Sequence, residues 1–243
     1  MNKVVTKFDP KNPPKNCTFL HDPLDIEIDG NKYPIYATTC IEPKINNADV
    51  YISLDQGAKL FDWEKPWINN KKKQQHLRYF IKDMTVPDDA IDFDKCLDYT
   101  LELLKNNKKV HVGCISGHGR TGLFLSALVH KTIGQDLLQK NISAIQYVRD
   151  NYCAKSVETL SQVLYLNANY DILIPKSEEK LFQKFKNMFK EETGYTYEDI
   201  IKLGGFMEIV DLIEDIEMFI YKEENEKLQQ YYTKTYSPSP KKI

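Results

Sequence analysis

Hydrophobic and polar positions follow two spacings along most of the chain, one typical of strands and one typical of helices. Alternation, or a short apolar run bounded by turn residues, predicts strands at residues 25–29, 33–36, 50–54, 77–81 and 110–112. Apolar residues spaced three or four positions apart predict helices at residues 91–106, 123–132, 142–150 and 158–170. Strands interleaved with helices predict an α/β fold with a mostly parallel central sheet flanked by helices.

The pattern becomes purely helical after about residue 175. Two apolar stripes, at residues 181–189 and 209–221, predict an all-helical C-terminal extension, in which the stripes form a core or bind a protein partner. A start rich in Pro, Asn and Lys predicts an irregular N-terminal arm, and the Ser-Pro repeat near the end predicts a disordered tail. We therefore predict an arm at residues 1–24 and an α/β domain at residues 25–175. The helical extension is predicted at residues 176–232 and the tail at residues 233–243.

Charge and cysteine usage narrow the classes of partner. The 243 residues include 33 Lys and Arg and 35 Asp and Glu, so the formal net charge of −2 provides no overall field to attract nucleic acid or an acidic membrane. No apolar run is long enough to cross a bilayer, and the N-terminus has no signal-peptide pattern. The 5 cysteines are scattered without a CxxC pair, which favours reduced thiols over a structural zinc site. These features predict a soluble, cytoplasmic protein.

The segment that carries candidate chemistry follows the strand at residues 110–112. The strand ends near Cys114, a short loop with two glycines follows, and an apolar helix then begins. Backbone N–H groups in such a loop can form an anion-binding nest at the helix N-terminus, and the same dipoles would stabilise a nucleophilic Cys114 thiolate. Arg120 can bind two phosphate oxygens in a fork that Lys cannot supply, and it stands out in a chain whose basic residues are mostly Lys. The predicted phosphate-binding residues are Ile115, Ser116, Gly117, His118, Gly119 and Arg120.

These residues resemble a known signature. Cys114, five intervening residues and Arg120-Thr121-Gly122 are similar to the CX5R(S/T)G motif of the protein tyrosine phosphatase superfamily, and the likeness covers roughly residues 25–172. The resemblance implies a dual-specificity phosphatase-like fold and two-step hydrolysis through a cysteinyl-phosphate. No metal or cofactor is expected, because the loop itself supplies the positive potential. The Thr121 hydroxyl is expected to donate a hydrogen bond to the cysteine sulfur.

The resemblance also implies roles outside the loop. A general-acid aspartate in this family lies on a mobile loop that precedes the nucleophile, and Asp83 stands at that place, with Asp88 and Asp89 as alternatives. A late glutamine can position water for the second step, and this role falls on Gln162, for which helix packing is the alternative.

One position departs from the family pattern. The family usually has His directly before the nucleophile, whereas this chain has Gly113. His111 lies two positions earlier and is expected on the same side of the strand, where it either partly compensates or is a satisfied core histidine. The loop also lacks the lysines that lipid-directed relatives tend to carry.

The sequence therefore predicts a metal-independent phosphatase that acts on phosphotyrosine or phosphoserine/threonine protein substrates. Three alternatives stay open. The same loop could serve a phosphoinositide, a nucleotide or an RNA 5′ phosphate. It could bind phosphate without turnover, which is favoured by the lack of the usual His before the nucleophile. The helical extension could also recruit a partner, with catalysis secondary.

Overall fold

The structure, a computed structural model, describes residues 21–40, 47–55 and 75–236, with side chains up to residue 227. The predicted N-terminal arm up to residue 20 and the predicted tail from residue 237 lie outside the described residues.

Within the described residues, five strands form one sheet in the order β1-β2-β5-β3-β4. The strands are β1 (Leu24–Ile28), β2 (Asn31–Ala37), β3 (Val50–Ser53), β4 (Gln75–Arg78) and β5 (Val110–Gly113). The β1–β2 hairpin is antiparallel, and the pairs β2–β5, β5–β3 and β3–β4 are parallel. The predicted mostly parallel sheet is therefore confirmed.

Helices accompany the sheet and then continue as a separate helical group. The helices are α1 (Ala90–Lys105), α2 (Gly119–Gln139), α3 (Ala144–Asn151), α4 (Leu160–Tyr170), α5 (Glu179–Thr193), α6 (Tyr197–Lys202) and α7 (Val210–Tyr236). The predicted fold class, an α/β domain with flanking helices followed by C-terminal helices, is confirmed. None of the described helices is both long enough and apolar enough to cross a membrane.

The first half of α2 is the centre of the core. It is buried on all sides, and Leu123, Phe124 and Leu128 are completely buried. Phe124 meets Phe93 of α1 edge to face, with ring centroids 5.8 Å apart. Burial of each such side chain stabilises the fold by roughly 1.5–3 kcal/mol. The same packing fixes the N-terminus of α2, where the candidate phosphate loop ends.

The described chain divides into two compact units, which meet in sequence between Glu179 and Lys180. In the second unit, α5 and α6 share a cluster of aromatic rings, with neighbouring centroids between 5.6 and 6.4 Å apart. The cluster consists of Phe182, Phe185, Phe189 and Tyr197. The helix α7 ends at Tyr236, beyond the predicted end of the extension at residue 232, and the sequence pattern did not predict the short helix α6.

The segment that follows β2 lies directly against the end of β5. The Thr38 N–H donates to the Val112 carbonyl at 3.3 Å, and the Cys40 N–H donates to the Cys114 carbonyl at 2.7 Å. A Cβ atom on Gly113 would lie 2.3 Å from the Thr38 carbonyl oxygen, a distance that real Cβ atoms do not reach. A side chain therefore has no space at position 113, which is the physical reason why glycine stands where the family usually has His.

His111 holds the same segment from inside the sheet. Its Nε2 atom lies 2.8 Å from the Thr38 hydroxyl, and the ring contacts Tyr51 at a centroid distance of 5.7 Å. Burial lowers the pKa of His111 to about 3, so the ring is neutral near physiological pH. It therefore adds no positive charge beneath the loop.

We predict that Gly113→Ala lowers the free energy of unfolding by about 1–3 kcal/mol, because the added methyl group pushes the backbone of residues 38–40 away from β5. Urea unfolding of the full chain measures the effect. Gly134→Ala in α2 is the matched control, since the nearest atoms to its methyl group would belong to the imidazole of His130, a side chain and not backbone. Equal stability of the Gly113→Ala protein and the parent would contradict the packing argument.

Candidate active site

The candidate nucleophile lies at the edge of the sheet where the parallel strands end. Cys114 directly follows β5, and its side chain is buried, with 1% of its surface exposed. The Ser116 hydroxyl lies 4.0 Å from the sulfur. The Thr121 hydroxyl, which was expected to face the sulfur, accepts the backbone N–H of Cys114 at 2.9 Å. Thr121 therefore ties the start of the loop to the first turn of α2.

A second contact restrains the middle of the loop. Gly117 has a φ of +77°, and its carbonyl oxygen accepts a hydrogen bond of 2.6 Å from the Tyr152 hydroxyl. A Cβ atom at Gly117 would lie 2.7 Å from the carbonyl carbon of Thr38. The loop is thus enclosed by the backbone after β2 on one side and by the end of α3 on another.

The candidate phosphate clamp is buried and paired with two carboxylates. Only 2% of Arg120 is exposed, and its Nη1 atom donates to Asp55 at 2.5 Å and to the Ile81 carbonyl at 2.9 Å. Its Nη2 atom lies 2.7 Å from Oδ1 of Asp83. A buried guanidinium requires such partners, since desolvation of an unpaired charge costs several kcal/mol.

Asp55 is a site residue that the sequence analysis missed. It is buried, with 7% of its surface exposed, and it follows β3, the strand beside β5. The carboxyl ends of parallel neighbouring strands meet at one edge of the sheet, so an acidic residue directly after the predicted strand at residues 50–54 was the available signal.

The structure brings Asp83 to the site and gives the alternative aspartates other positions. Asp83 lies in a turn closed by the Thr85 N–H and the Lys82 carbonyl, and 68% of its side chain is exposed. Asp89 caps α1, where its Oδ1 atom accepts the N–H groups of Ile91 and Asp92, at 2.8 and 3.0 Å. Asp88 is exposed. Of the three, Asp83 is the residue with a described ion pair to Arg120.

Gln162 connects the Asp83 turn with the segment before α4. It is completely buried, its Nε2 atom donates to the Thr85 carbonyl at 3.1 Å, and its Oε1 atom accepts the Glu158 N–H at 2.9 Å. These contacts support a role for Gln162 in positioning the Asp83 turn. The expected water-positioning role stays a prediction.

Glu158 is the second residue that the sequence analysis missed. Its Oε2 atom accepts the backbone N–H of Gly119 at 2.9 Å, so a protein carboxylate occupies one amide of the candidate phosphate loop. Burial raises the pKa of Glu158, and the nearby charge of Asp83 raises it further, while the Gly119 hydrogen bond acts in the opposite direction. Since Thr159 is the N-cap of α4, Glu158 stands just outside the helix and faces the loop.

His118 and Ile115 complete the loop with contrasting exposure. Burial lowers the pKa of His118 to about 4, helped by the nearby His21 and Lys155, so the imidazole is neutral at physiological pH. Its Nδ1 atom lies 3.9 Å from Oε1 of Glu158. Ile115, in contrast, is 43% exposed and presents an apolar surface beside Cys114.

The described geometry places a cysteine, a buried guanidinium and an exposed carboxylate around one loop. Cys114 can act as a nucleophile, Arg120 can bind an anion once Asp83 moves from Nη2, and Asp83 can carry a proton. The three groups together are suited to transfer of a phosphoryl group to and from sulfur.

No family model matches the chain. Among curated proteins, the chain is similar to two uncharacterized proteins of Methanocaldococcus jannaschii. It is 33% identical to MJECL20 over 103 residues, which cover 41% of this chain and 65% of that protein. It is 35% identical to MJ0215 over 82 residues, which cover 34% of this chain and 46% of that protein. The matched region therefore spans less than two thirds of either relative.

Among solved structures, the chain is similar to Tk-PTP in its active form, at 22% identity and a TM-score of 0.45, over 62% of this chain and 99% of that chain. It is also similar to kinase associated phosphatase with its catalytic cysteine replaced by serine, at 17% identity and a TM-score of 0.47, over 65% of this chain and 97% of that chain. The structural neighbours are protein tyrosine and dual-specificity phosphatases, the superfamily that the loop motif resembles.

Proposed function

We propose that this chain is a metal-independent phosphatase that hydrolyses phosphomonoesters through a cysteinyl-phosphate, with phosphotyrosine or phosphoserine/threonine proteins as substrates. The observation that carries the proposal is the environment of Arg120. Its buried guanidinium is fixed by Asp55, reaches Asp83, and belongs to the same short loop as Cys114.

In the first step, the Cys114 thiolate attacks phosphorus, and the bond between phosphorus and the ester oxygen breaks. Arg120 and the loop amides hold the remaining phosphate oxygens, whose charge grows in the transition state. Asp83 donates its proton to the departing oxygen, so the leaving group is a neutral alcohol or phenol.

In the second step, water attacks phosphorus and the sulfur–phosphorus bond breaks. Asp83, now a carboxylate, accepts the proton that the water loses. Inorganic phosphate is released and the Cys114 thiolate is restored. The Gln162 contact to Thr85 supports this cycle, because it restrains the turn on which Asp83 must alternate between donor and acceptor.

The charges around the loop support a protein substrate over a polyanion. Arg120 is the only cationic side chain within the loop, His118 is neutral, and Asp83 and Glu158 add negative charge beside it. Phosphoinositides, nucleotides and RNA 5′ ends carry several phosphates or many charges, and these carboxylates would repel them. The exposed side chain of Ile115 offers an apolar contact of the kind that an aromatic ring could use.

The packing around Gly113 also removes the main argument for a non-catalytic phosphate-binding module. That alternative rested on Gly113 in place of the family's His. The close approach of residues 38–40 accounts for this glycine by packing. The predicted protein partner of the C-terminal helices stays a prediction, supported by the exposed apolar side chains of Met218, Phe219 and Tyr221 on α7.

We predict that the chain hydrolyses an aryl phosphate in the presence of EDTA between about pH 5 and pH 8. Cys114→Ser should abolish turnover. Asp83→Asn should lower kcat about 10²–10⁴-fold, and most strongly for esters with poor leaving groups, which need the proton most.

Steady-state kinetics with a series of aryl phosphates measures both effects. Asp88→Asn is the matched control, since this neighbouring carboxylate is exposed, and it should retain the parent rate. Full activity of the Cys114→Ser protein would overturn the mechanism. Binding of vanadate without any turnover would instead favour the non-catalytic module.

We predict that Glu158→Gln tightens binding of inorganic phosphate or vanadate by roughly three- to tenfold, or about 1 kcal/mol, at neutral pH. Glutamine keeps an oxygen for the Gly119 N–H but removes a negative charge that opposes the dianion. Because the pKa of Glu158 is raised, the charge is lost as pH falls, so the difference between variant and parent should shrink at acidic pH.

Competitive inhibition measured across the pH range tests this prediction. Glu102→Gln, on the exposed side of α1, is the control and should leave the inhibition constant unchanged. An unchanged constant in Glu158→Gln, together with a lower kcat, would contradict electrostatic opposition and assign a proton-carrying role to Glu158.

A further inference from the structure

Three potential metal ligands converge behind the phosphate loop. His21 precedes β1, His118 lies in the loop, and Cys153 follows α3, yet their ligand atoms all lie within 4.8 Å of one another. His118 and Cys153 are buried and His21 is partly buried. The rings of His21 and His118 meet edge to face, with centroids 5.6 Å apart.

The donor set fits a borderline-soft divalent cation. Two imidazoles and a thiolate are ligands that Zn²⁺ prefers. Mg²⁺ and Ca²⁺ prefer oxygen ligands such as carboxylates. With bonds of about 2.0–2.3 Å, tetrahedral ligand atoms lie about 3.3–3.8 Å apart, so ligand atoms within 4.8 Å of one another need to approach by at most about 1–1.5 Å.

Surrounding contacts hold two of the three ligands close to the required place. The hydroxyl of Tyr152 donates to the Gly117 carbonyl at 2.6 Å, which fixes the chain next to Cys153 against the loop that carries His118. The Cys153 N–H donates to the Val148 carbonyl at 3.2 Å. The ring of Tyr152 also meets His21, at a centroid distance of 4.5 Å.

A carboxylate stands behind one of the imidazoles. Oε1 of Glu158 lies 3.9 Å from Nδ1 of His118. Metal-bound histidines commonly direct their second nitrogen towards a carboxylate, which orients the ring and raises its basicity as a ligand. A small approach of the two groups would complete this contact on metal binding.

We propose that His21, His118 and Cys153 form a binding site for a Zn²⁺-class divalent cation, with three protein ligands and one open coordination position. Binding replaces the Cys153 S–H bond by a sulfur–metal bond and releases one proton to solvent, so the affinity rises with pH. The hydrolytic mechanism does not use this ion. Because His118 belongs to the phosphate loop, binding of the metal ion would restrain the conformation of that loop.

The sequence did not predict that these three ligands come together. A structural zinc site was not expected, because the cysteines form no closely spaced pairs. Here one thiol and two imidazoles are contributed by three distant segments, which only the fold brings together.

Titration with Co²⁺ tests the site on the full chain. The Cys114→Ser protein is used, so that the candidate nucleophile cannot supply the thiolate, and it is first treated with EDTA and desalted. We expect one Co²⁺ per chain, with a thiolate-to-cobalt charge-transfer band and the visible bands of tetrahedral cobalt. Adding Cys153→Ser should remove the charge-transfer band, and adding His21→Ala should weaken binding at least about tenfold.

Matched controls separate this site from other thiols. Cys40→Ser and Cys96→Ser replace two other buried cysteines and should leave the cobalt band unchanged. Zn²⁺ should raise the unfolding midpoint of the Cys114→Ser protein, as a ligand of the folded state does, but not that of the Cys153→Ser variant.

The absence of a cobalt band in the Cys114→Ser protein would overturn the proposal, and so would a band that survives Cys153→Ser. His21→Ala provides an independent test that leaves the buried thiol and the loop in place, and unchanged Co²⁺ affinity in that variant would also overturn it. These measurements record metal binding alone, so their outcome does not depend on whether the chain hydrolyses phosphate esters.

Discussion

The buried positive charge of Arg120 is the constraint on which the rest of the site depends. A guanidinium with 2% exposure would be too costly without partners, and its surroundings supply the Asp55 carboxylate and the Ile81 carbonyl. These partners come from the chain after β3 and the chain after β4, so one charge fixes two loops against the start of α2. Removal of a partner from such a buried pair typically costs about 3–5 kcal/mol. The pairing therefore serves the fold as well as the candidate chemistry.

A second constraint is the lack of free space around the loop. Backbone atoms of residues 38–40 approach Gly113 and Gly117 so closely that neither position can hold a side chain. Hydrogen bonds from the Cys114 N–H to Thr121, and from the Tyr152 hydroxyl to Gly117, then restrain the ends and the middle of the loop. The conformation is fixed by neighbouring backbone and not by the loop residues alone.

The sequence predicted the parts of this structure that depend on local periodicity. The strands and the helices α1 to α5 and α7 have a repeating apolar pattern over several residues, although β4 ends at Arg78 and not at Ile81 as predicted. The strand–loop–helix unit with Cys114 and Arg120 was predicted from its motif. Asp55, Glu158 and the His21–Cys153 pair were not predicted, because their roles arise from contacts between segments far apart in sequence. The six-residue helix α6 is too short to show a periodic pattern. The sequence showed that Gly113 departs from the family pattern, but the reason for the glycine is the close approach of residues 38–40, which are distant in sequence.

The two carboxylates that pair with Arg120 differ in exposure, as the proposed catalytic cycle requires. Asp55 is buried with 7% exposure, and its contact to Nη1 belongs to the core of the site. The Asp83 side chain is 68% exposed and pairs with Nη2, while Gln162 restrains the backbone of its turn through the Thr85 carbonyl. An incoming phosphate can therefore replace Asp83 on Nη2 while Asp55 stays in place, so the guanidinium keeps two anionic partners throughout. In the proposed mechanism, the displaced Asp83 is the group that gives a proton to the leaving oxygen.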